Sequence, residues 1–231
     1  GHTPFGHMGE KILDSLTSCN FRHYEQSLRV VDKLEYDGKG LNLTDLVRDG
    51  ILKHSKGFGE ILPVNSEKLP ITLEGQIVRI SDIVAYVNHD LDDALRAGII
   101  KNNLIPESVI QTLGHSFAKR IDRIVIDIID ETLKTDLNNI SVSETIYTEI
   151  INLRKFLFEK VYLRPEKEKE REKIEKILDT IFKRLIKNPE EYLNNYPEND
   201  SIERRAIDFI AGMTDRFALN LFESIIIPKY I

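Results

Sequence analysis

Leu73-Glu74-Gly75-Gln76-Ile77-Val78-Arg79-Ile80-Ser81-Asp82-Ile83-Val84-Ala85-Tyr86-Val87-Asn88-His89-Asp90-Leu91-Asp92-Asp93-Ala94 is the stretch that decides the fold. Ile80, Ile83, Val84, Val87 and Leu91 recur at steps of three and four, the spacing of one helix face. The pattern predicts a helix over residues 72–97, with Gly98 as its stop. These residues are apolar enough to bury much of that helix.

Working outward, the same periodicity dominates the chain. Residues 10–16 place Ile12, Leu13 and Leu16 on one face. Residues 26–34 turn Leu28, Val30, Val31 and Leu34 inward in a looser pattern, and Asp37-Gly38-Lys39-Gly40 reads as a turn. Thr44 is placed to cap a helix running to about His54. A long loop follows, marked by Gly57-Phe58-Gly59, Pro63 and Pro70. Beyond the central helix, one helix follows Pro106. Another spans 115–133, with Phe117, Ile121, Ile124, Val125, Ile128 and Ile129 as its apolar residues. Residues 135–143 are polar and form the expected subdomain boundary. Further helices are expected over 143–161, 167–187 and 201–225, with breaks at Asn188-Pro189 and Tyr196-Pro197. The charge run at 166–176 mixes both signs and reads as a solvated helix face. With no convincing strand pair and no internal repeat, the fold class is all-α.

Composition narrows the function. The 231 residues are 41% hydrophobic and 30% charged, with no Trp and few Gly and Pro, which suits a soluble helical protein with a real core. A net charge of −6 gives no electrostatic footprint for nucleic acid or for an anionic membrane. The single cysteine, Cys19, permits neither an internal disulfide nor a Cys-based zinc site, and points to the cytoplasm. No apolar run approaches the roughly 18 to 20 residues that span a bilayer. The chain opens directly on a candidate active-site segment, and it is expected to hold only part of the machinery it belongs to.

That opening segment is Gly1-His2-Thr3-Pro4-Phe5-Gly6-His7-Met8-Gly9-Glu10. His7 and Glu10 stand three positions apart. A helix beginning near Gly6 puts them on one face, where a carboxylate orients an imidazole and favours its protonated form. Such a pair suits general-acid chemistry or phosphate polarisation; the plainer alternative is a helix-capping Glu beside surface histidines. His23, between polar neighbours just before a helix, is a weaker signal. On the central helix, Asp82, Tyr86 and Asp90 form one stripe at steps of four. Buried carboxylates there must be paired, protonated or metal-bound, and Arg79 and His89 are available to pair with them. Gly57-Phe58-Gly59 has no following Lys-Ser/Thr and is not a phosphate loop, and no hydrolase elbow is present.

Taken in order, five stretches resemble the HD-domain deoxyguanosine triphosphate triphosphohydrolase family. They are the opening decapeptide, Phe21-Arg22-His23-Tyr24-Glu25-Gln26-Ser27-Leu28-Arg29, Gly50-Ile51-Leu52-Lys53-His54, the central helix, and Ala211-Gly212-Met213-Thr214-Asp215-Arg216-Phe217-Ala218. The resemblance implies an HD-type helical fold, with residues 1–135 as the C-terminal portion of the HD core and 136–231 as a C-terminal helical subdomain. It implies a metal-dependent hydrolysis of a dNTP to deoxynucleoside and triphosphate. It places His7, Glu10 and His23 in catalysis, His2 at the phosphate chain, and Tyr86 and Asp90 at the deoxyribose. Asp82 corresponds to one ligand of a Mg²⁺ or Mn²⁺ site whose other ligands, a His and a His-Asp dyad, would precede residue 1, so the fragment itself is expected to be inactive. Tyr24 departs from the Asn or Glu common after the third histidine. The family also implies homo-oligomers and dNTP effectors. Two other readings stand beside this one: another HD phosphohydrolase, such as a nucleotidase or phosphodiesterase, and a non-catalytic nucleotide-sensing module.

Overall fold

The computed structural model describes residues 1–18, 20–55, 61–62 and 66–228, with backbone alone at 165–167. Cys19 and Gly57-Phe58-Gly59 lie outside the described residues. Among the described residues there are helices and turns and no strand, so the chain is all-α. In chain order the helices are α1 (Gly6–Leu16), α2 (His23–Arg29), the single turn α3 (Glu35–Gly38), α4 (Asp45–Lys53), α5 (Leu73–Arg96), α6 (Glu107–Leu113), α7 (Phe117–Leu133), α8 (Glu144–Leu157), α9 (Pro165–Lys187), the single turn α10 (Pro189–Tyr192), α11 (Ile202–Ala211) and α12 (Asp215–Ile226). Wider π turns extend α2 through Val30–Leu34 and α8 through Phe158–Tyr162.

The chain divides into two compact units. One is Gly1–Leu52 together with Glu168–Ile231; the other is Lys53–Lys167. The breaks therefore fall elsewhere than the expected 135/136. Residues 135–143 are instead tied back onto α7: the Ser141 N–H donates to Thr132 Oγ1 at 3.0 Å, and the Ser143 N–H and hydroxyl donate to Asp127 at 2.8 and 2.6 Å.

In the Lys53–Lys167 unit, α5 is the spine and packs against α7 and α8. Thr72 caps it, its hydroxyl accepting from the Gly75 N–H at 3.1 Å, and Gly98, at φ 65°, supplies the left-handed residue that ends it. Ile80, Ile83, Val84, Val87 and Leu91 are all buried, as their spacing requires. Ile124, Leu153 and Leu157 complete the core around them. On α7, however, Val125 and Ile129 are exposed; Ile124 takes the buried face with Arg120 and Thr132.

In the other unit, Ile12 and Leu13 of α1 pack with Leu178, Ile181 and Leu185 of α9 and Ile207 and Ile210 of α11. The charged run of α9 faces solvent from residue 168 onward, laced by ion pairs such as Arg171–Glu168 and Lys173–Glu170. Two expectations change. The inward residues of α2 are His23 and Gln26, whereas Leu28, Val30, Val31 and Leu34 are half-buried. The reason is polar: Asp208, fully buried on α11, accepts from Gln26 Nε2 at 2.8 Å, Arg29 Nε at 2.9 Å and Arg204 Nη2 at 2.7 Å. This network draws the polar face of α2 inward, since a buried carboxylate must be met by donors. The expected helix over 201–225 is two helices. Thr214 is extended, at φ −81° and ψ 160°, and its hydroxyl caps α12 by accepting from the Phe217 N–H at 3.2 Å.

Candidate active site

The segment before α1 is held in an uncommon backbone state. Phe5 (φ 64°) and Gly6 (φ 60°) are both left-handed, which costs little at glycine but is unfavourable at phenylalanine. Two bonds stabilise it. The Phe5 N–H donates to Asp215 Oδ1 at 2.8 Å, and Thr3 Oγ1 donates to the Gly6 carbonyl at 3.0 Å. Gly9 allows the loop to lie against the helix: a Cβ there would stand 1.9 Å from the Pro4 carbonyl oxygen. The loop thus doubles back over the first turn of α1 and brings His2 beside His7.

Glu10 is the hub. Its carboxylate lies 3.2 Å from His7 Nδ1 and 2.9 Å from His23 Nδ1, and it also accepts from the His23 backbone N–H at 2.9 Å. Burial works against the charged carboxylate, but the hydrogen bonds from His23 and His7 outweigh it and hold Glu10 well below the ordinary carboxylate range. An ionised carboxylate only accepts, so Nδ1 of both rings carries the proton. The three imidazoles of His2, His7 and His23 stand in a triangle, with ring centroids 5.2 to 5.7 Å apart. His2 Nδ1 is 3.4 Å from the Thr3 carbonyl, and burial lowers the affinity of its ring for a proton. Tyr24 packs edge-on against His23, with ring centroids 5.6 Å apart. The four residues read from the first two motifs are therefore together, with His7 exposed and His23 buried.

The Lys53–Lys167 unit holds the other stripe. Tyr86 and Asp90 are half-buried on α5, and Asp82 is exposed. The Tyr162 hydroxyl donates to the Asp90 carboxylate, and its ring stacks on Tyr86 with centroids 6.1 Å apart. Burial raises both phenols above the ordinary tyrosine range, and the bond to Asp90 raises Tyr162 further. Both phenols are thus neutral hydrogen-bonding groups. The buried Arg154 lies near the same tyrosines, its charge favoured by them and opposed by burial. Arg79 takes a different role from pairing with this stripe. It is buried and donates to the carbonyls of Ile61 at 3.1 Å and Lys53 at 2.7 Å. The His89 ring packs against Phe117, tilted by 55° with centroids 4.8 Å apart.

Sequence reading missed Tyr162, Asp208 and Asp215. The last lies in a quoted motif, but nothing in spacing assigns it to the Phe5 amide. A divalent ion takes four or more ligands. Among the described residues, the one group of three or more His, Cys, Asp or Glu side chains able to hold an ion is His2, His7 and His23. Asp82, exposed on α5, is not part of that group.

Residues 140–224 match the phosphohydrolase-associated domain family, a stretch inside the expected 136–231 subdomain. Curated relatives align along nearly the whole chain. A deoxyguanosinetriphosphate triphosphohydrolase-like protein of Caldanaerobacter subterraneus subsp. tengcongensis is 44% identical over 233 residues, covering 99% of this chain and 65% of the relative. One from Clostridium perfringens is 42% identical over 237 residues, covering all of this chain and 68% of the relative. One from Geobacter metallireducens is 33% identical over 272 residues, covering 99% and 71%. The chain thus spans about two thirds of the length of the relatives it matches.

Proposed function

This chain belongs to the deoxyguanosine triphosphate triphosphohydrolase-like family of HD-domain proteins, and we propose that it supplies acid–base and phosphate-binding residues for hydrolysis of a deoxynucleoside triphosphate at the α-phosphate. The observation that carries this reading is the Glu10 carboxylate bridging His7 and His23 beside His2.

In the proposed reaction, water oxygen bonds to the α-phosphorus and the bond from phosphorus to the 5′ oxygen breaks. The products are deoxynucleoside and triphosphate. The leaving oxygen needs a proton, and the triphosphate needs its charge balanced. His7, exposed and held by Glu10, donates that proton. Its imidazolium is stabilised by a carboxylate that stays ionised at neutral pH. In their protonated forms His23 and His2 donate hydrogen bonds from Nε2 to phosphoryl oxygens, as preorganised donors do where negative charge builds. Tyr86 and Asp90, with Tyr162 holding the Asp90 carboxylate, are assigned to the sugar: a carboxylate accepts from a 3′-hydroxyl, and a stacked tyrosine pair offers a flat apolar wall. Asp82 is assigned one oxygen of a Mg²⁺ or Mn²⁺ site, and no step is routed through that ion. Homo-oligomer formation, a dNTP effector and a cytoplasmic location belong to the same proposal. Among the described residues, no helix is long and apolar enough to cross a membrane.

The test is product analysis. A protein of the relatives' full length carrying these residues is incubated with dGTP and Mn²⁺, and the products are separated by ion exchange. Deoxyguanosine with intact triphosphate is expected. Deoxyguanosine mono- or diphosphate would move the broken bond and favour another phosphohydrolase. Binding of dGTP without turnover would favour a nucleotide-sensing module.

A further inference from the structure

The three imidazoles have a property that phosphate chemistry does not require. Glu10 and the Thr3 carbonyl are both pure acceptors here. Nδ1 of His7 and His23 faces the first, and Nδ1 of His2 approaches the second. In each neutral ring the proton therefore sits on Nδ1 and the lone pair on Nε2. One ring nitrogen from each histidine lies within 4.8 Å of those of the other two. A carboxylate that binds Nδ1 while Nε2 keeps its lone pair is also the outer-shell arrangement of histidine metal sites, where it fixes the tautomer and raises ligand basicity.

We propose that His2, His7 and His23 form a transition-metal site, selective for Zn²⁺ or Co²⁺ over Mg²⁺, with Glu10 orienting two of its imidazoles. The selectivity follows from donor type. Imidazole nitrogen suits zinc and its neighbours, whereas Mg²⁺ takes oxygen ligands and keeps its waters. Tetrahedral zinc, with Zn–N near 2.0–2.1 Å, needs its nitrogens about 3.4 Å apart. The triangle must contract by about 1.4 Å at most, and two of its three residues, His2 and His7, are exposed. Three protein ligands leave a fourth position for water. The site is independent of whether the chain hydrolyses nucleotides. If it does, Zn²⁺ withdraws the imidazoles from the phosphates and inhibits.

The experiment is a Co²⁺ titration of the 231-residue chain in excess Mg²⁺, followed by visible absorption. One equivalent of Co²⁺ giving intense four-coordinate bands, displaced by Zn²⁺, is expected. His7→Ala, an exposed position that leaves the core intact, is expected to weaken binding more than tenfold. Glu10→Gln is expected to weaken it by about 10–100-fold. Asp82→Asn is expected to leave the bands unchanged, which separates this site from the oxygen site assigned to Asp82. Helicity by circular dichroism checks each variant. Weak six-coordinate bands in the parent chain overturn the proposal. So do bands that survive in folded His7→Ala, or that disappear in Asp82→Asn. None of these outcomes depends on turnover.

Discussion

Asp215, in the first turn of α12, accepts a 2.8 Å hydrogen bond from the backbone N–H of Phe5, a residue held at φ 64°. The last helix thereby fixes the backbone from which both His2 and His7 project. Asp215→Ala leaves that amide to water and removes the restraint on a strained residue. The expected loss of global stability is small, about 1 kcal/mol. The expected local effect is larger: amide exchange at Phe5 and Gly6 should accelerate at least tenfold while α5 stays protected. Unchanged exchange at Phe5 would mean that the loop holds its shape without Asp215.

Gly9 is a steric requirement rather than a flexible point. A Cβ there meets the Pro4 carbonyl at 1.9 Å, so Gly9→Ala must push the loop off α1. Overpacking of this kind costs about 1–3 kcal/mol. Urea denaturation should register that loss, and His2 should separate from His7. A crystal structure of the variant with the imidazole triangle unchanged would contradict this.

Acid should act on Glu10 in a defined direction. The folded carboxylate binds its proton less readily than the unfolded one, so its stabilising contribution is full above the ordinary carboxylate value and is lost as pH falls below it. Unfolding free energies between pH 6 and pH 3 should therefore drop in the parent chain. Glu10→Gln should flatten that slope by its share, with the depressed Asp208 carboxylate keeping its own. An identical slope in the variant would remove Glu10 from the acid response.

Asp208→Asn tests the buried network that seats α2. The change keeps the volume but leaves Arg29 and Arg204 short of a negative partner inside the unit. Removing one member of a buried ion set typically costs about 3–5 kcal/mol; the surviving Arg29–Asp200 pair places the expectation near the lower end. Chemical denaturation gives the value directly, and a loss under about 1 kcal/mol would mean that the network contributes little.

Tyr162→Phe removes the donor to Asp90 while keeping the ring stacked on Tyr86. If Asp90 meets the sugar, dGTP binding should weaken by about tenfold, or ~1.4 kcal/mol, with little change in melting temperature. A changed melting temperature with unchanged nucleotide affinity would make the pair structural.

The helices were legible because burial writes itself into spacing: five apolar residues of α5 are in the core where their period puts them. Thr44 and Gly98 marked real ends for the same local reason. The misreadings have a common cause. The inward face of α2 is chosen by Asp208, which is 182 positions away from Gln26, and periodicity carries no information at that range. The α11–α12 break was written as Gly212-Met213-Thr214-Asp215 but was outvoted by apolar residues on both sides. Glu10 and His7 could be paired from spacing, whereas the approach of His23 and His2 depends on a loop reversal that only Gly9 hints at. Tyr162 reaches Asp90 from the end of another helix, beyond any local pattern.

The unit that holds the histidines is assembled from two separated stretches, Gly1–Leu52 and Glu168–Ile231, with Lys53–Lys167 between them. On the ribosome the intervening unit, with its own core, is synthesised before α11, α12 and most of α9 exist. The Phe5–Asp215 bond spans 210 positions, so the imidazole triangle gains its final restraint only when α12 emerges. Long-range closure of this kind is slow relative to local helix formation. A nascent chain stalled before residue 215 would carry every histidine of the cluster and still lack the bond that sets two of them in place.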